Sequence, residues 1–168
     1  MTAPRLDHTS VTTADLERSI AFYRDVVGLP FLERGEGAEP ELSDLVGLPD
    51  VKIRWAELDL GGGLRLELLE YVSPEGEPLE LLPNRPGATH LGLSVADLAP
   101  VQRRLADAGA LVSEDVVVLT EEGEWNGVRT IYARDPDGVS VEFVERIDLI
   151  VRLPELDADA EAPGRTAP

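Results

Sequence analysis

His8-Thr9-Ser10-Val11-Thr12-Thr13-Ala14-Asp15-Leu16 recurs later in the chain as His90-Leu91-Gly92-Leu93-Ser94-Val95-Ala96-Asp97-Leu98, with the histidine and the Ala-Asp-Leu triplet in the same register. The chain's two histidines are therefore equivalent positions of an internal repeat, a signal that governs the whole architecture. Each copy opens with a strand-like run and then a helix start, because Asp15 and Asp97 are well suited to cap a first turn. Leu16, Ile20, Tyr23 and Val27 then fall on one helical face before Gly28. Leu98, Val101, Leu105 and Ala108 do the same before Gly109.

Strand patterns follow each helix. Val51 to Leu60 and Leu64 to Val72 flank Gly61-Gly62-Gly63, and Val128 to Arg134 and Val139 to Glu145 flank Asp135-Pro136-Asp137-Gly138. Both read as hairpins. A further short strand is expected after each helix, over Phe31 to Arg34 and Ala110 to Ser113. The predicted fold is α+β, two tandem βαβββ modules spanning 1–75 and 88–147, joined by a linker over 76–87. Residues 148–168 form an acidic tail, and Pro154 to Pro168 lacks periodicity and is expected to be disordered. Gly35 to Asp50 exceeds what the repeat requires and reads as either a surface loop or a mobile lid.

Composition narrows the function. The 168 residues carry 33 acidic and 15 basic side chains, a formal charge of −18, which repels nucleic acid and anionic lipid. Cysteine is absent, so a metal would have to be bound by His, Asp or Glu. No apolar run suggests a leader or a membrane span, and a cytoplasmic enzyme or binding protein is expected.

Strand parity then selects candidate ligands. Leu64, Leu66 and Leu68 share one face of their strand and Arg65, Glu67, Leu69 and Tyr71 the other, while Val139, Val141 and Phe143 oppose Ser140, Glu142 and Val144. Glu67 and Glu142 are thus equivalent, as are His8 and His90, and all four point away from the helices. If the modules pair about a pseudo-twofold axis, the four converge. Two imidazoles and two carboxylates suit one divalent ion, such as Zn, Ni, Co, Mn or Fe, with positions open to substrate. Arg54, Arg65, Tyr71, Trp125 and Arg129 are candidate substrate-binding residues of the pocket wall.

From about Leu6 to Glu145 the chain resembles the vicinal-oxygen-chelate superfamily, which includes glyoxalase I, methylmalonyl-CoA epimerase, extradiol dioxygenases and bleomycin-resistance proteins. The resemblance rests on Leu6-Asp7-His8 with Asp15-Leu16-Glu17-Arg18-Ser19-Ile20-Ala21-Phe22-Tyr23, on Leu66-Glu67-Leu68 and Thr89-His90-Leu91, and on Asp135-Pro136-Asp137-Gly138 leading to Glu142. It implies the glyoxalase fold, mixed sheets curved around a metal-binding cavity, a small-molecule substrate and a homodimer. The His, Glu, His, Glu set resembles that of bacterial glyoxalase I, whereas epimerases typically carry Gln where Glu67 stands. The enlarged Gly35 to Asp50 segment departs from compact glyoxalases.

The expected activity is isomerisation, epimerisation or lyase chemistry by proton transfer next to a metal-bound carbonyl, with Glu67 or Glu142 as catalytic base. Two alternatives stand beside it: an Fe(II)-dependent extradiol-type dioxygenase using His8, His90 and Glu142, and a non-catalytic protein that binds a small molecule such as an antibiotic.

Overall fold

A computed structural model describes residues 4–120 and 125–146. The expected tail over 148–168 lies outside them. Two four-stranded mixed sheets carry the fold, and neither is closed. The first has the order β1-β4-β3-β2, built from β1 (His8–Thr12), β2 (Phe31–Gly37), β3 (Lys52–Gly61) and β4 (Leu64–Ser73). The second repeats it as β5-β8-β7-β6, with β5 (His90–Val95), β6 (Val117–Val118), β7 (Arg129–Arg134) and β8 (Ser140–Glu145). In both, the opening strand is an edge strand running parallel to its neighbour, and the other pairings are antiparallel.

The helices begin where the repeat predicts. Asp15 accepts a hydrogen bond from the Arg18 amide at 3.0 Å at the start of α1 (Leu16–Ala21), and Asp97 accepts one from the Ala99 amide at 2.9 Å at the start of α3 (Leu98–Asp107). Such caps stabilise a helix by about 1 kcal/mol. Beyond Ala21 the first helix widens into a π-helical segment, Phe22–Val27, and ends at Gly28, whose φ of 99° is accessible to glycine at little cost.

One core joins the two halves. Leu16, Ile20 and Tyr23 pack in the same cluster as Leu98, Val101 and Leu105, with Leu66, Leu68, Val141 and Phe143 from the sheets. Full burial of one such leucine contributes roughly 1.5–3 kcal/mol relative to exposure. Arg104 adds a polar tie, donating to the carbonyls of Val26 at 2.8 Å and Val27 at 3.3 Å. The halves therefore meet through their helices, while among the described residues no strand pairs with the outer edge of β1 or β5.

Two expectations require correction. The short strand expected over Ala110 to Ser113 forms instead at Val117–Val118. Leu111 makes only an isolated bridge to Ala133, and a turn in which Ser113 accepts from the Asp115 amide interrupts the pairing. Within Gly35 to Asp50, read as loop or lid, β2 continues to Gly37 and a short helix, α2 (Pro40–Val46), follows with its proline in the first turn. Among the described residues no helix is long and apolar enough to cross a membrane.

Candidate functional site

The alternation read from β4 and β8 holds in three dimensions. Leu66, Leu68, Val141 and Phe143 are buried beneath the helices, and the opposite face of each sheet presents one histidine and one glutamate. His8 Nε2 lies 3.8 Å from Glu67 Oε2, and His90 Nε2 lies 3.3 Å from Glu142 Oε2. The imidazoles are half exposed, 46% and 51%, while the glutamates are 24% and 15% exposed. Each pair is thus open to a ligand from solvent.

The four side chains come together as two pairs and not as one cluster. Among the described residues no group of three or more His, Asp or Glu is placed to hold a metal ion. The halves pack through the π-helical segment Phe22–Val27 and α3, and β1 and β5 belong to separate sheets. One imidazole and one carboxylate are the right donor types for a divalent ion, and each pair supplies two of the donors that such an ion takes.

The surroundings of the two pairs differ. Asp7 Oδ2 lies 2.9 Å from His8 Nδ1, and this hydrogen bond raises the pKa of His8 above the ordinary histidine value. Arg65, directly across from His8, donates to both Glu57 oxygens at 3.0 and 3.1 Å and to Asp7 at 3.0 Å, so its charge is already matched. In the second sheet, the buried Thr130 hydroxyl donates to Glu142 Oε1 at 3.0 Å. The Tyr132 ring lies 5.8 Å from that of His90, and burial, followed by the charge of Glu142, raises the pKa of its phenol. A cavity of about 660 Å³ opens here, with His90, Glu142 and Tyr132 beside Val112, Val117 and Leu119.

The other candidate residues are distributed unevenly. Arg65 and Tyr71 lie on the same face as Glu67. Arg54 lies on the helix-covered face, ion-paired with Glu70 in a separate cleft of about 530 Å³. Arg129 also lies on the helix-covered face, paired with Glu145, whose carboxylate accepts from the Leu98 amide. Trp125 sits under the Arg146 guanidinium, 3.8 Å from the ring centroid, and does not line the cavity. Sequence reading did not single out Thr130 and Tyr132. The signal for them was the register of the hairpin about Asp135 to Gly138, which sets Tyr132 opposite Glu142.

A family model described as the Glyoxalase/Bleomycin resistance protein/Dioxygenase superfamily matches residues 5–143. The chain belongs to this superfamily. Within it, the chain is 31% identical over 146 residues to a lactoylglutathione lyase of Salmonella typhimurium, covering 86% of this chain and 94% of that one. It is 28% identical over 148 residues to a 2-epi-5-epi-valiolone epimerase of an Actinomyces species, covering 84% and 79%. The crystal structure of a glyoxalase family protein from Bacillus cereus superimposes with a TM-score of 0.73 at 22% identity, covering 86% of this chain and 95% of that one, a likeness of fold. Superfamily membership accounts for the repeated sheet-and-helix plan and leaves the chemistry to be argued from the residues.

Proposed function

We propose that the protein is a metal-dependent enzyme of the glyoxalase type, catalysing isomerisation, epimerisation or lyase chemistry by proton transfer at a carbon next to a carbonyl. The observation that carries this reading is the matched presentation of a His and Glu pair on the helix-free face of both sheets. The names of the lyase and epimerase relatives support it.

Because the described residues bring one His and one Glu together at each place, we propose that His8 and Glu67 of one copy meet His90 and Glu142 of a second in a homodimer. The outer edges of β1 and β5, unpaired among the described residues, support this, since such a strand edge is a template for another chain. A divalent ion held there would supply Lewis acidity toward a substrate carbonyl oxygen. Glu67 or Glu142 would accept the carbon-bound proton and return it, held close enough for general-base catalysis. The cavity beside His90, with its valines, leucine and tyrosine, would exclude water from the substrate's apolar part.

The test joins metal analysis to isotope exchange. Protein purified without chelator should hold one divalent ion per chain, and the double variant H8A/H90A none. With an accepted substrate in heavy water and without oxygen, deuterium should appear at the reacting carbon. Product that forms only with oxygen and carries its atoms would replace this reading with the dioxygenase one.

A further inference from the structure

The internal repeat supplies its own control, because every sheet position around Glu142 has a counterpart around Glu67. Across from Glu142 stands Tyr132, with Thr130 next along the same face of β7. The corresponding positions of β3 hold Glu57, across from Glu67, and Trp55. The consequences for the two carboxylates are opposite. Thr130 donates to Glu142 Oε1 at 3.0 Å, which leaves Oε2 facing His90 Nε2 at 3.3 Å, and the Tyr132 ring lies tilted beside the histidine ring, 5.8 Å between centroids. Among the described residues no group donates a hydrogen bond to Glu67. Glu57 is engaged by Arg65, and the Trp55 indole lies over Gly35, where an added Cβ would stand 2.6 Å from its Cζ2. In the first sheet the oriented member is the imidazole, which Asp7 holds.

We propose that Thr130 is a positioning residue whose hydroxyl holds Glu142 in the orientation that faces His90. The two glutamates that the repeat makes equivalent are then unequal ligands: Glu142 is set before anything binds, and Glu67 takes the orientation that the bound ion and substrate impose. A ligand already held in place gives up less rotamer freedom on binding, and removal of such an outer partner typically weakens metal affinity by about 10-fold to 100-fold. This inference rests on the metal-binding reading of the His and Glu pairs, which its test can separate.

The full chain, stripped of metal, is titrated with Zn(II) in competition with a chromophoric chelator. T130V removes the hydroxyl and keeps the side chain's shape, and it should bind Zn(II) about 10-fold to 100-fold more weakly. T130S, which retains the hydroxyl, should restore wild-type affinity. T130A carries the same test should T130V fail to fold by circular dichroism. Wild-type protein that binds Zn(II) while the hydroxyl-free variants bind it equally tightly overturns the positioning role and leaves the metal reading in place. Weak binding by T130S as well as T130V shows that the hydroxyl is not the cause and also overturns it. Wild-type protein that binds no Zn(II) overturns both readings.

Discussion

Tyr23 Oη donates a hydrogen bond of 2.9 Å to Asp135 Oδ2, joining the first helix to the turn that leads into the strand of Glu142. Both side chains are almost wholly buried. The same turn is clamped a second time, because Asp137 accepts from the Thr13 hydroxyl and from Arg18, each at 2.6 Å. The mounting of Glu142 is therefore tied by hydrogen bonds to the helix that follows His8. Tyr23→Phe should lower the free energy of unfolding by about 2 kcal/mol, the range for a hydrogen bond to a charged group. Chemical denaturation measures it, and an unchanged midpoint would show that the bond contributes nothing net.

The same carboxyl predicts a pH dependence. Burial raises the Asp135 pKa above the ordinary aspartate value, outweighing the lowering effect of the amides of Val139 and Asp137 and the Tyr23 hydroxyl. A folded pKa above the unfolded one means that the contribution of Asp135 to stability is complete below about 4 and is lost as pH rises through the folded value. Compared with Asp135→Asn, in which nothing titrates at this position, the wild-type chain should gain stability as pH is lowered from 7 toward 4. Other carboxyl groups titrate in both proteins and cancel in the difference. A difference that grows with pH would contradict the assignment.

Gly35 should resist substitution through a close approach across the strands. Its partner across β3 is Trp55, and a Cβ at this position would lie 2.6 Å from Cζ2 and 2.8 Å from Cε2 of the indole. Gly35→Ala should cost about 1–3 kcal/mol, the usual penalty for overpacking. It should also shift tryptophan emission, since the indole has to lift off the sheet. Unaltered emission and stability would mean that the ring moves aside freely.

A site shared between copies predicts complementation. His8→Ala and His90→Ala proteins should each lose tight metal binding on their own. Mixed and allowed to exchange subunits, they should recover about a quarter of the wild-type metal content, because roughly half the dimers are mixed and one of the two sites in each is intact. Metal analysis after mixing measures it. Recovery of none, with exchange confirmed by sedimentation of labelled chains, would place each site within one chain.

The repeat makes much of this legible in the sequence. Period-two alternation in β4 and β8 reports which residues face the helices, so Glu67 and Glu142 could be assigned to the other face. Arg54, expected in the pocket wall, shares parity along β3 with Ala56 and Leu58, both buried under the helices, and the alternation sets it on that other face. The short β6 was not legible. Leu111-Val112-Ser113 has the apolar character of a strand, yet pairing resumes only at Val117, where the chain again reaches β7.

The sequence by itself determined the two half-units, their caps, and the face on which each histidine and glutamate stands, because these follow from local periodicity and from side chains that bond to their own backbone. Only the tertiary structure decided how the halves sit together. Leu16, Ile20 and Tyr23 are apolar in the same way whether they meet their own sheet or the helix of the other half, and burial carries no direction that names its partner. The packing of the π-helical segment Phe22–Val27 on α3, the reach of Tyr23 to Asp135 and the hold of Thr130 on Glu142 bring together residues of different elements. Their distances depend on how the elements stack, which no local pattern encodes.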